Sequence, residues 1–151
     1  VRARFGVGAK PSHDPDVAAK RLVVADPELN RLLYSRGDVR AADRFFAQPD
    51  DSIAGWETAR DAQARIVMAV RRALESVPAD RPAVFCGHGA VGTLLKCFVG
   101  GRMIARSEDQ RRMADPGGGN CFVFDLDAMR LHGDWMAMEA LAPDWLRRGR
   151  F

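Results

Sequence analysis

The stretch AVFCGHGAVGTLL, residues 83–95, holds one of the chain's three histidines, His88, between Gly87 and Gly89 and directly behind an apolar run. The run AVFCG has the length and composition of a strand buried on both faces, and AVGTLLKCFVG reads as a helix. His88 therefore falls at the carboxyl end of a strand and the start of a helix, where α/β sheets collect their ligands. Flanking glycines let the backbone turn sharply and let a ligand come close. The first amides of the helix favour an anion such as phosphate, and a protonated imidazole beside it adds positive charge. A histidine that simply hydrogen-bonds a neighbouring carbonyl is the commoner case, but the two glycines tip the balance toward an anion site.

Other residues offer weaker chemistry. Gly117, Gly118, Gly119 and Asn120 supply backbone amides for a phosphate pocket, or equally a plain turn into a strand. Arg106, Arg111 and Arg112 in RSEDQRRM suit an acidic substrate group, although solvated arginines are the more frequent outcome. Glu57 stands at the start of a helix, where capping amides through the helix dipole fits it better than acid catalysis. His132, alternating with Leu131, reads as a surface or rim residue. Cys86, Cys97 and Cys121 are odd in number, lack CxxC spacing and lie among apolar residues, so they read as reduced core thiols rather than bridges or zinc ligands.

The elements that must hold these groups follow from periodicity. In GWETARDAQARIVMAVRRALESV, Ala59, Ala62, Ile66, Ala69, Val70, Ala73 and Leu74 recur every three or four residues, which predicts an amphipathic helix. DVRAADRFFAQPDDS predicts a shorter helix ended by Pro49, with Val39, Ala42, Phe45 and Phe46 on its apolar side. After the His88 helix, Gly100 and Gly101 act as a stop, RMIARSEDQRRMADPGGG is a charged loop or broken helix, and NCFVFDL is a second strand. A turn near Asp127 and Ala128 leads to a closing strand in MRLHGDWMAM, and APDWLRRGRF is a tail. Residues 1–38 are a segment of uncertain structure broken by glycine and proline, in which DVAAKRLVVADPELNRLLYS suggests one or two short helices. Residues 39–151 form the α/β part of a single domain.

Composition narrows the function classes. At 151 residues, with 47% hydrophobic and 28% charged residues, the chain has the make-up of one ordinary globular domain. No stretch approaches the ~18 apolar residues of a membrane span and the opening lacks a secretory signal core, so no membrane partner and a cytoplasmic location are expected. A net charge of +3 and the closing WLRRGR favour anionic partners only weakly. No recognition helix, RNP-like strand or zinc finger appears, so nucleic acid is not expected as a partner.

The sequence AVFCGHGAVGTLL resembles the strand, His-Gly and helix of the second histidine motif in the histidine phosphatase (phosphoglycerate mutase-like) superfamily. Upstream, RFFAQPDDSIAGWETARDAQARIVMAV is similar to the family's proline, acidic-Ser and Arg-bearing helix segment, with Asp51 where glutamate is usual. Downstream, DPGGGNCFVFDLD resembles the loop and strand of a bacterial branch. The likeness covers roughly residues 40–138. It implies a three-layer sandwich in which helices flank a mostly parallel sheet, here an incomplete version of the family's fold.

The resemblance also implies phosphoryl transfer through a phosphohistidine, with hydrolysis or transfer on a small phosphate ester. His88 would be the second histidine, which stabilises the transferring group, and Gly89, Arg65, Gly119 and Asn120 would complete the phosphate site. Neither metal nor cofactor is implied, because that route supplies its own nucleophile and positive charge. The family's Arg-His-Gly motif is not visible. RFGVGAKPSH lacks the apolar strand that should deliver a nucleophile, and His13 has serine where the family has arginine. Two function classes follow: an enzyme of impaired turnover, or a non-catalytic phosphate-binding or interaction module from a truncated or rearranged family member. A family member lacking its first, interior strand would have to cover the gap with KRLVV or a partner chain, and a homo-oligomer is compatible with Trp56, Trp135 and Trp145.

Overall fold

The computed structural model describes residues 2–6, 21–23 and 39–141, except 54, 79–80 and 117. Within them, β1 (Arg2–Gly6), β2 (Arg21–Val23), β3 (Ala83–Cys86), β4 (Asn120–Asp125), β5 (Arg130–Leu131) and β6 (Met136–Ala137) form one sheet. Its helices are α1 (Val39–Ala47), α2 (Ala59–Glu75), α3 (Gly89–Val99) and the single-turn α4 (Gln110–Met113). Among the described residues no helix is long and apolar enough to cross a membrane.

The sheet order is β2-β3-β1-β4-β5, with β6 also on β4. β1 and β2 both run parallel to β3, whereas β4 is antiparallel to β1, β5 and β6. The protein is thus mixed α/β, and the expected parallel character holds only over β2-β3-β1.

Two expectations for the opening segment change. RARFG is a strand after all, and it takes the interior place between β3 and β4, with Gly6 opposite Cys86 and Cys121. Part of KRLVV is likewise a strand rather than a helix, but it sits on the edge of the sheet and fills no interior gap. Local sequence does not announce RARFG, because such short strands are defined by the neighbours that complete their ladders rather than by propensity, whereas KRLVV is one of the segments the sequence offers as a strand. His13, the helix expected to start at Asp26, and the tail with Trp145 lie outside the described residues.

The long helix forms where expected. Thr58 caps α2, its hydroxyl accepting from the Asp61 amide at 3.0 Å, so the capping role imagined for Glu57 belongs to Thr58. Ala59, Ala62, Ile66, Val67, Val70 and Leu74 are buried along one face, and Val67 replaces the expected Ala69, which is exposed. α3 is buried on nearly every side, as a helix apolar all round must be. Gln63 fastens the two helices by donating to the Leu94 carbonyl at 2.8 Å.

β4 is buried at every position from Asn120 to Phe124, so both its faces are covered. Phe85, Phe122 and Phe124 pack in series, with Trp135 edge-on to Phe122 at 4.8 Å. Trp135 is 5% exposed and its indole donates to the Glu108 carbonyl, which makes it a core residue and not a subunit contact. The expected closing strand is broken into β5 and β6, with the turn at Gly133 and the Asp134–Trp135 anchor between them.

Candidate functional site

His88 is the N-cap of α3, with extended backbone angles (φ −88°, ψ 155°) and no side-chain cap hydrogen bond. The first helical bond is donated by the Gly92 amide to the His88 carbonyl. The amides of Gly89, Ala90 and Val91 therefore have no acceptor inside the helix. His88 is half-buried, and its Nδ1 is buried without a hydrogen-bond partner among the described residues. Buried polar atoms are nearly always satisfied, so this nitrogen beside three amides that lack an acceptor within the helix is the arrangement expected of a site that receives an oxyanion.

Gly89 is buried, and a side chain there would meet the Gln110 amide. A Cβ built there would stand 2.5 Å from Gln110 Nε2. Gln110 is 6% exposed, and its Oε1 accepts from Asn120 Nδ2 at 3.0 Å. Asn120, wholly buried, also exchanges hydrogen bonds with the Asp115 backbone. Of the expected phosphate-site residues, His88 and Gly89 are thus joined to Asn120 through Gln110. Asn120 holds the network from behind through its side chain. Gly119 lies just before it at φ +72°, a conformation glycine adopts freely, and its carbonyl accepts from the Met138 amide.

Arg65 is exposed on α2 in an ion pair with Glu57, its Nε donating to Glu57 Oε2 at 3.1 Å. Arg106 is an anchor: it pairs with Asp43 at 3.0 Å and with the buried Asp109, and it lies over the Phe46 ring. Asp109 also caps α4, accepting from the Arg111 amide. His132 is half-buried and extends the β4–β5 ladder by donating its amide to Val123. Cys97 and Cys121 are buried and Cys86 half-buried, all as free thiols. Among the described residues no three His, Cys, Asp or Glu side chains gather as metal ligands.

Sequence reasoning missed two features. One is Gln110; nothing in SEDQRRM distinguishes it from the charged residues around it. The other is a partly exposed charge cluster around the wholly buried Lys96, which meets Glu108 at 2.8 Å and Asp134 at 2.5 Å. Arg102 bridges the same two carboxylates at 2.7 and 2.6 Å. A lysine inside the apolar run TLLKCFV was the available signal, since such a charge must find partners.

A separate open groove of about 710 Å³ lies along Phe46, Pro49, Arg60, Arg102, Met103 and Arg106. Its arginines already pair with Asp50, with Glu108 and Asp134, and with Asp43 and Asp109 respectively, which leaves no uncompensated charge for an anion. Comparison with known proteins finds no family model that matches this chain and no curated protein that matches it.

Proposed function

We propose that this chain is an α/β protein of histidine phosphatase type whose His88 site binds the phosphate group of a small phosphorylated ligand. The observation that carries the reading is the buried Nδ1 of His88 at the N-terminus of α3, which has no partner among the described residues. An incoming phosphate would accept from the open amides of Gly89, Ala90 and Val91 and meet the imidazole edge. The interior position of β1 supports the reading, because the resembled fold also places its first strand inside the sheet. Coverage of both faces of β4 supports the three-layer arrangement. Arg65 would contribute charge only by leaving Glu57.

Binding is favoured over turnover. β1 ends level with Cys86, one step before the His88 loop, so an attacking histidine would be needed just beyond Gly6. The sequence there is Val7, Gly8 and Ala9, none of which is a nucleophile. Phosphohistidine hydrolysis is the second reading, favoured by that same register, which brings the end of β1 beside the His88 loop.

Titration with inorganic phosphate, run beside hydrolysis of an aryl phosphate, separates the two. Phosphate binding that falls at least tenfold in His88→Ala, without turnover, supports the binding module. Turnover lost in His88→Ala supports the enzyme. Equal phosphate binding by wild type and His88→Ala removes both.

A further inference from the structure

We infer that Gln110 is a second ligand-contacting residue of the His88 site, its side-chain amide donating a neutral hydrogen bond to the bound oxyanion. The inference rests on the phosphate-binding reading and extends it to a group on a different element. Gln110 is more than nine-tenths buried, which costs free energy for an amide unless its polar atoms find partners. Its oxygen has one, Asn120 Nδ2 at 3.0 Å. Because Asn120 can only donate through that nitrogen, the Gln110 oxygen must face Asn120 and the Nε2 must face the other way. That other way is the first residue of α3: Nε2 lies 2.5 Å, Cδ 3.1 Å and Cγ 3.3 Å from where a Gly89 side chain would begin.

The Nε2 donor has no hydrogen-bond partner among the described residues. It therefore lies at the same helix end as the buried His88 Nδ1 and the α3 amides that have no acceptor within the helix. The neighbouring buried carboxylate, Asp109, is neutralised by Arg106 and does not oppose an anion there. Gly89 is explained by the same geometry: any side chain at that position would displace the amide. Asn120, tied to the Asp115 backbone, fixes the rotamer so that the donor is oriented before a ligand arrives.

The test uses the intact chain. In wild type, titration with inorganic phosphate is followed through the Gln110 side-chain amide and the His88 imidazole by NMR. Both sets of resonances are expected to move with one shared saturation curve. In Gln110→Glu, the carboxylate can still accept from Asn120 but presents an anion where the donor was, and phosphate affinity is expected to drop at least tenfold with an unchanged circular dichroism spectrum. Movement of His88 with an unmoved Gln110 amide, or a folded Gln110→Glu that binds within twofold of wild type, overturns this inference and leaves the His88 reading standing. Wild-type protein that shows no response to phosphate overturns both. If Gln110→Glu fails to fold, the wild-type amide resonances decide alone.

Discussion

The ammonium of Lys96, wholly buried within α3, stands 2.8 Å from the carboxylate of Glu108. Lys96 and Gly89 lie on the same helix about 10 Å apart along its axis, at about 1.5 Å of rise per residue. Glu108 and Gln110 sit on one short segment, so the ion pair at Lys96 holds down the strip of chain whose other end packs on Gly89. Burial alone would make such a charge unfavourable. Asp134 and Arg102 complete it into a closed set of two cations and two carboxylates.

Replacing Lys96 with methionine preserves the stem and deletes the charge. Two carboxylates are then left with Arg102 alone, and breaking a buried pair typically costs about 3–5 kcal/mol. Chemical denaturation of Lys96→Met is expected to show a loss near the lower end of that range, because Glu108 and Asp134 keep some access to water. A stability equal to wild type would show that the cluster contributes no net stabilisation.

Acid should weaken the same cluster. Burial pushes the carboxyls of Glu108 and Asp134 up, but hydrogen bonds and attraction from Lys96 and Arg102 outweigh it and hold both below their ordinary values of 4.5 and 3.8. The unfolded chain therefore binds these protons more readily than the native state. Their contribution is complete above the ordinary carboxylate values and is lost as the pH falls through the depressed native ones. Thermal midpoints measured from pH 7 to pH 2.5 are expected to fall below about pH 4.5, the ordinary glutamate range. In Glu108→Gln the acid limb should be shallower, and an unchanged limb would assign the acid sensitivity elsewhere.

How much of this was readable beforehand depends on what each residue needs. His88 was legible because strand, glycines and helix all occur within 13 consecutive residues. α2 was legible because its apolar positions repeat locally, and only the choice between Ala69 and Val67 needed the neighbouring helix. β1 was not legible, since RARFG becomes a strand through ladders to residues 80 and more than 110 positions away. Gln110 was invisible for the same reason: its meaning comes from Gly89 and Asn120, which reach it only through tertiary packing.

Thiol chemistry should follow burial. Desolvation pushes the Cys97 thiol up to about 11, with Glu108 adding to the rise, so almost no thiolate is present at neutral pH. Cys121 is equally enclosed, while Cys86 is half-buried at the end of β3. Iodoacetamide at pH 8 followed by peptide mass spectrometry is expected to label native Cys86 first and to reach Cys97 and Cys121 only after unfolding. Rapid native labelling of Cys97 would contradict the packing of α3 described above.

Gly89→Ala tests whether stability and binding separate at the α3 N-terminus. Alanine gains about 1 kcal/mol over glycine in a helix interior, which is an upper bound at this first helical position. Against that, the new Cβ would lie 2.5 Å from Gln110 Nε2 and 3.1 Å from its Cδ, so the whole amide must swing aside and release Asn120. A lost hydrogen bond of this kind costs about 1 kcal/mol, which nearly cancels the helical gain. Denaturation is therefore expected to change by less than about 1 kcal/mol, while phosphate affinity measured on the same sample falls several-fold because the oriented donor is gone. A large loss of stability with unaltered phosphate binding would mean that Gln110 packs on α3 for structural reasons alone.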